Sequence, residues 1–295
     1  MKLRQLWGIV ELKTKVVSVS TLATATLFAL RERGRLDLLG LALIVPAVLL
    51  VDMGTTAFNS FFDYWRGEDR GGRLREPDKV LVTEGVPALA ALFVALGCFL
   101  AAACLGLALA FHAGAWLLWA GAICLAAGYS YNGGPLRISR SPLGELVAGA
   151  FLGTFLFLIV YRVQAGGWGT RPLLASIPGA LFIASILAVN NACDIEGDTA
   201  AGRKTLAILL GARRASALPF ALGAAAFALG IGLAFAGPLP RASALCLGGS
   251  AIAAMPFYAR MIRRGFSHET KGPSMRAILG AFGVWSLGYV LGLLL

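Results

Sequence analysis

Leu173-Leu-Ala-Ser-Ile-Pro-Gly-Ala-Leu-Phe-Ile-Ala-Ser-Ile-Leu-Ala-Val-Asn190-Asn-Ala192 runs for 20 residues without a charge and leads into Cys193-Asp194-Ile-Glu-Gly-Asp198-Thr-Ala-Ala-Gly-Arg203-Lys204. A helix needs about 20 apolar residues to cross the hydrocarbon core of a bilayer. The run is continuous rather than alternating, which selects a helix over a barrel strand. Carboxylates at the end of such a helix are costly unless partnered, so the segment is a candidate site as well as a candidate span.

The rest of the chain repeats this pattern. Apolar runs cover approximately Val16–Leu30, Leu36–Phe62, Val86–Phe111, Ala113–Tyr131, Leu143–Tyr161, Leu173–Ala192, Ser216–Ala236, Ala242–Tyr258 and Met275–Leu295. The first and eighth are short or interrupted. The mean hydropathy is +0.77. Of the 295 residues, 58% are hydrophobic and only 14% charged, well below the roughly 25% of soluble domains. The expectation is an all-α polytopic membrane bundle of about nine transmembrane helices, forming a single domain over residues 1–295. The first run lacks a small-residue cleavage site and reads as a retained helix rather than a signal peptide.

The net charge of +11 reads as membrane topology, with no nucleic acid as partner. With the amino terminus inside, the inner segments collect most Lys and Arg, while the outer side holds Arg31, Arg33, Arg35, Arg162, Arg171 and Arg241. The basic first outer loop, Arg31 to Arg35, is the exception to that bias. The five cysteines show no metal-ligand or disulfide spacing and read as small packing residues. His112 and His268 stand alone in loops, which argues against a His-ligated metal.

A second acidic stretch, Asn59-Ser-Phe-Phe-Asp63-Tyr-Trp-Arg-Gly-Glu-Asp69, also follows an apolar run. The two stretches echo each other faintly, each with Asn followed by Asp four residues later. Positions four apart share a helix face, so Asn59 and Asp63 are expected to share one face of their helix, as are Asn190, Asp194 and Asp198 of theirs, with the two clusters facing one cavity. Hard oxygen ligands of this kind suit Mg2+, which is usually held by one or two carboxylates plus substrate phosphates. Asp63, Asp69, Asp194 and Asp198 are the expected metal ligands. Arg75, Lys79, Arg203 and Lys204 read either as contacts to a diphosphate or as topology residues only.

These residues resemble the UbiA superfamily of intramembrane prenyltransferases. The segment Asn190 to Leu206, with Gly211 following, is similar to the 1,4-dihydroxy-2-naphthoate prenyltransferase branch, as is Asp63-Tyr-Trp-Arg-Gly-Glu-Asp69. Tyr131-Asn-Gly-Gly-Pro135 and Gly144-Glu145 resemble a third family block. The resemblance implies that Asn59, Asp63, Asp69, Asn190, Asp194 and Asp198 bind Mg2+ and a polyprenyl diphosphate. It implies that Arg137 contacts the diphosphate and that Lys13 and Lys15 reach its phosphates. Tyr131 is implied to orient the diphosphate or steady the carbocation; read alone, it is equally an interfacial belt aromatic. The implied product is a prenylated aromatic acceptor, dihydroxynaphthoate-like, in menaquinone biosynthesis, made at the cytoplasmic face of a bacterial inner membrane.

The chain also departs from the family. Ser60 stands where an Asp directly follows the leading Asn, and Asp52 and Thr56 stand where the naphthoate branch shows Gln and Asn. Asp52, Thr56, Asn59 and Asp63 share one helix face. Asp52 is therefore a candidate for contacting the acceptor or acting as a base, against an interhelical hydrogen bond as the alternative. Ser60 and Asp52 keep open a UbiA-like terpene cyclase, which needs no acceptor. An ion-coupled transporter is a third class, disfavoured by the Arg and Lys beside the acids.

Overall fold

The computed structural model describes residues 2–67 and 79–295, and every regular element among them is helical. Each of the nine apolar runs falls on a helix. Seven helical spans are long and apolar enough to cross a membrane: Leu38–Trp65, Ala88–Ala113, Gly144–Ala165, Thr170–Cys193, Leu206–Ala236, Ala242–Arg264 and Lys271–Leu294. The two remaining helices are Val16–Arg33, of 18 residues, and Trp116–Asn132, of 17. The expected weak eighth run is thus a full span, and the fourth joins the first as a short one.

The chain divides into two compact units, Met1–Val19 with Leu38–Arg140, and Ser20–Asp37 with Ser141–Leu295. In the first unit, helix α1 (Leu3–Ile9) precedes α2 (Val16–Arg33), whose first residues alone belong here. Then come α3 (Leu38–Trp65), the one-turn α4 (Val80–Thr83), α5 (Ala88–Ala113) and α6 (Trp116–Asn132). Its core joins Ile9, Val10, Ala57, Phe58, Val80, Leu81, Ala91 and Ala95. Small residues let α3 and α5 approach closely, as is usual where lipid supplies no hydrophobic drive between helices. Phe58 fills the seam, edge-on to Phe99 at 5.1 Å and Tyr129 at 5.5 Å.

The second unit contains the remainder of α2, then α7 (Gly144–Ala148), α8 (Leu156–Ala165), α9 (Thr170–Cys193), the short α10 (Ile195–Ala200), α11 (Leu206–Ala236), α12 (Ala242–Arg264) and α13 (Lys271–Leu294). A π-helical stretch, Gly149–Phe155, links α7 to α8. Gly153 permits this packing, because a Cβ there would lie 2.4 Å from Ala180 Cα. The widened helix shifts its carbonyl bonding, and Thr21 Oγ1 donates to Leu152 O at 2.8 Å. Phe182 is fully buried among Phe227, Phe282 and Trp285.

The basic first loop has a local explanation. Arg31 donates to Leu293 O at 3.0 Å, where a cation suits the carbonyl end of α13. Arg171 reaches Glu32 at 3.4 Å. Large apolar side chains such as Phe93, Phe111, Trp119 and Leu245 point outward, as the walls of a lipid-embedded protein do. The chain is an integral membrane protein.

Candidate active site

In the first unit, α3 carries Asp52, Thr56, Asn59 and Asp63 as the spacing predicts, and it ends at Trp65. Gly67 follows with φ +77°, the left-handed conformation that ends helices. Asp69 and Arg75 lie outside the described residues. The Asp63 carboxylate is held from two sides. Oδ1 accepts from Asn132 Nδ2 at 3.1 Å, and Lys79 Nζ stands 3.6 Å from Oδ2. Ser139 donates to Asn132 Oδ1, which fixes the amide so that its nitrogen faces Asp63. Arg66 donates to the Asn132 carbonyl at 2.6 Å and lies over the Phe62 ring at 5.1 Å. Asn132 is brought this close because Gly133 follows it; a Cβ there would sit 2.7 Å from Phe62.

Lys79 therefore stands against the first motif's carboxylate. Arg137 is exposed, and its Nε donates to Gly134 O at 3.3 Å, within its own loop. In the Tyr131-Asn132 pair the residue against Asp63 is Asn132, which sequence reasoning passed over. The signal available was its place in front of Gly-Gly, where a helix must end.

Asn59 Oδ1 is buried and makes no hydrogen bond to a described residue. An enclosed amide oxygen one turn before a carboxylate is a hard donor awaiting a ligand. Ser60 is buried, and its hydroxyl donates to Ile9 O at 3.1 Å, tying α3 to α1. The hydroxyl is thus committed to the backbone of α1. Ser60→Ala should cost about 1–2 kcal/mol by orphaning the Ile9 carbonyl and leave turnover unchanged, as checked by urea unfolding alongside an activity assay.

Asp52 and Lys15 form a closed network. Lys15 Nζ lies 2.5 Å from Asp52 Oδ1, and it also donates to Thr56 Oγ1 at 2.7 Å and Asp52 O at 3.3 Å. Ser18 donates to Asp52 Oδ2 at 2.5 Å. Both carboxylate oxygens are thereby engaged, so the geometry is that of the interhelical bond rather than of an acid facing a ligand. Lys15, only 4% exposed, is spent on Asp52 rather than reaching for phosphate.

In the second unit the motif is not one continuous helix. α9 stops at Cys193, and Asp194 takes φ −111° and ψ 17° before α10 begins. One backbone bond crosses the break, Asp198 N–H to Asp194 O at 2.8 Å. Asn190 and Asp194 therefore do not continue one regular face to Asp198, contrary to the expected shared face. Asp198 is buried at 7% exposure with Arg203 at 3.4 Å. Lys204 is exposed.

Asp194 has two partners with no signature in the sequence. Lys271 donates to Oδ2, and His268 Nδ1 lies 3.0 Å from Oδ1. His268 is thus no solitary loop histidine. Burial by itself would raise the Asp194 carboxyl, but the Lys271 ammonium and the His268 ring outweigh it and hold the group below its ordinary value of 3.8. A depressed carboxyl stabilises the fold above its unfolded value, and that contribution is lost as pH falls through the folded value. Lys271→Met should therefore cost about 3 kcal/mol at pH 7. The deficit should narrow as pH falls below the ordinary carboxyl value of 3.8, and close only once pH has passed below the depressed folded value, where Asp194 is neutral in both proteins. Thermal unfolding in detergent, followed from pH 7 downward, reads this directly.

Two sets of acids with basic partners, carried on membrane helices, match a known family. Residues 18–275 match the UbiA prenyltransferase family. The chain belongs to that family. It is 32% identical over 232 residues to the 1,4-dihydroxy-2-naphthoate octaprenyltransferase of Bacillus subtilis (strain 168), covering 79% of this chain and 74% of that protein. It is 30% identical to human UbiA prenyltransferase domain-containing protein 1, covering 66% of this chain but only 57% of the human protein. Among solved structures, a digeranylgeranylglyceryl phosphate synthase matches with TM-score 0.66 at 17% identity, covering 99% of this chain and 98% of that one. A UbiA homologue from Archaeoglobus fulgidus bound to DMAPP and Mg2+ matches with TM-score 0.64 at 17% identity, covering 96% and 99%. This UbiA member is a prenyltransferase with the family's helical fold.

Proposed function

We propose that this prenyltransferase moves a prenyl group from a polyprenyl diphosphate to an aromatic acceptor of the 1,4-dihydroxy-2-naphthoate type, a step of menaquinone biosynthesis. The observation that carries the reading is the intact second motif, Asn190 to Lys204, in a chain 32% identical to a naphthoate octaprenyltransferase. Residues 1–295 act as one catalytic domain in this reading. The Lys and Arg bias supports an orientation with both motifs at the cytoplasmic face of a bacterial membrane.

Mg2+ fits the donors present. Asn59 and Asp63 in the first unit, and Asp194 and Asp198 in the second, offer oxygens only. Among the described residues no three His, Cys, Asp or Glu side chains gather as a ready metal cage. Mg2+ prefers such sparse sites, completed by substrate phosphates and water. Bound there, it would neutralise charge on the departing diphosphate. Asp69 and Arg75 belong to the same proposal by their place in the motif.

The chain's own groups supply the rest. Lys79, Arg203 and Lys271 are cations already set against the carboxylates, suited to take up diphosphate charge. Arg137, Lys204 and Asn190 remain candidate diphosphate contacts, and Tyr131 a candidate to steady positive charge through its ring face. Apolar helices exclude the water that would convert a prenyl cation to an alcohol.

The cyclase reading rested on Ser60 and Asp52. Both now have structural partners, Ile9 O and Lys15, so neither points away from an acceptor. The test is product mass. Purified protein with Mg2+, a prenyl diphosphate and dihydroxynaphthoate should yield the prenylated ring, and chelation of the metal should stop it. A hydrocarbon or a prenyl alcohol as sole product would refute the reading.

A further inference from the structure

Glu145 is a buried carboxyl group that diphosphate binding leaves unused. It is the second residue of α7 and is 3% exposed. Its Oε1 accepts a hydrogen bond from Asn191 Nδ2 at 2.9 Å, whereas Oε2 is enclosed without a partner among the described residues. Asn191 belongs to the second acidic motif: Asn190 Nδ2 approaches its Oδ1 at 3.5 Å, and its carbonyl accepts the Asp194 N–H at 3.3 Å. Glu145 is therefore anchored by one oxygen to the segment that carries the proposed diphosphate ligands, with the other oxygen buried and unpartnered among the described residues.

An unmet hydrogen bond on a buried polar group costs roughly 1–3 kcal/mol, and more on a charged one. Ionisable groups placed in membrane helices at that cost mark functional positions. As a carboxylate oxygen, Oε2 is completed by a hydrogen-bond donor. A diphosphate held by metal and cations presents acceptor oxygens, so it does not satisfy Oε2. A phenolic hydroxyl does.

We propose that Glu145 Oε2 receives a ring hydroxyl of the aromatic acceptor and takes its proton as the ring attacks; this rests on the aromatic prenyl-transfer reading above. The O–H bond breaks to Oε2, and its electron pair moves into the ring. The ring carbon bonds to C1 of the prenyl chain, and the C1–O pair leaves with the diphosphate. Glu145 returns the proton to the ring oxygen when the displaced ring substituent departs. That substituent is a proton passed to water, or CO2 where the acceptor carries a carboxylate. Oxidation states of protein groups do not change. Oε1 orients the carboxyl through Asn191, and Oε2 does the chemistry.

Glu145→Gln separates this role from a structural one, because the amide keeps an oxygen for Asn191 and nearly the same shape. The expected result is unaltered thermal stability and unaltered affinity for Mg2+ and geranyl diphosphate, with kcat for the naphthoate acceptor about 100-fold lower, the scale of one lost acid–base group. The deficit should shrink across a series of ring-substituted acceptors as their hydroxyls become more acidic. Glu145→Asp, which keeps a carboxyl, gives the same test should the glutamine variant not fold: impaired with weakly acidic acceptors and recovering with acidic ones. Wild-type kcat in Glu145→Gln, or a deficit of the same size for every acceptor, would overturn the proposal. Wild-type protein that transfers to no aromatic acceptor refutes the underlying reading instead, and that assay precedes the variants.

Discussion

Lys15→Met should destabilise the protein by about 3–5 kcal/mol, the scale of breaking a buried ion pair from one side. The ammonium contacts Asp52 Oδ1 at 2.5 Å and Thr56 Oγ1 at 2.7 Å, and the side chains of Lys15 and Asp52 are 5% and 14% exposed. Without it, the Asp52 carboxylate keeps Ser18 as its side-chain donor among the described residues, and a half-partnered acid in apolar surroundings is costly. Removing both charges, as Lys15→Met with Asp52→Leu, should recover most of the loss, because a buried pair is worth little more than apolar residues of similar volume. Unfolding of the two single variants and the double variant in one detergent measures the coupling. Additive losses would show that the two side chains do not stabilise each other. Asp52→Asn should leave turnover per folded molecule intact, since the acid is turned to Lys15 and Ser18.

Asp63→Ala and Asp194→Ala should each lower turnover on the order of 10²–10³-fold, the cost of deleting one group that stabilises developing charge. Their effects on stability should differ in kind from those at position 15. Asp63 and Asp194 are held by groups that are also suited to a phosphate: Lys79 for the first, Lys271 and His268 for the second. Truncation leaves these cations without their carboxylates. Added inorganic diphosphate should then raise the thermal stability of each variant by binding the exposed cations. Ser60→Ala in the same assay supplies the internal control, being one residue from Asn59 with its hydroxyl committed to Ile9. Turnover within error of the parent in either aspartate variant would remove that residue from the site.

The helices were legible because lipid leaves the backbone only helices or closed barrels, and continuous rather than alternating apolar runs select helices. Their limits were legible where glycine forces them, as at Gly67 after α3. Asn59 to Asp63 kept its register because the helix continues through both. Asn190 to Asp198 did not, because Asp194 leaves helical geometry between them. Partners across helices were invisible. Lys15 and Asp52 are 37 positions apart, and Asp194 and Lys271 are 77 apart. Which side chains meet across such gaps is set by helix rotation and axial shift, and neither is encoded in hydropathy. Asn132 shows the same limit at short range. The block Tyr131 to Pro135 was recognisable, but only the turn at Gly133 decides which of its side chains faces Asp63.

The decisive measurement is the acceptor dependence of diphosphate release by purified protein in detergent or nanodiscs, with Mg2+ and a prenyl diphosphate. Release is expected only when a dihydroxynaphthoate-type acceptor is present, one diphosphate for each acceptor prenylated. Release at the same rate without acceptor, or none with it, would contradict aromatic prenyl transfer as the function of this chain.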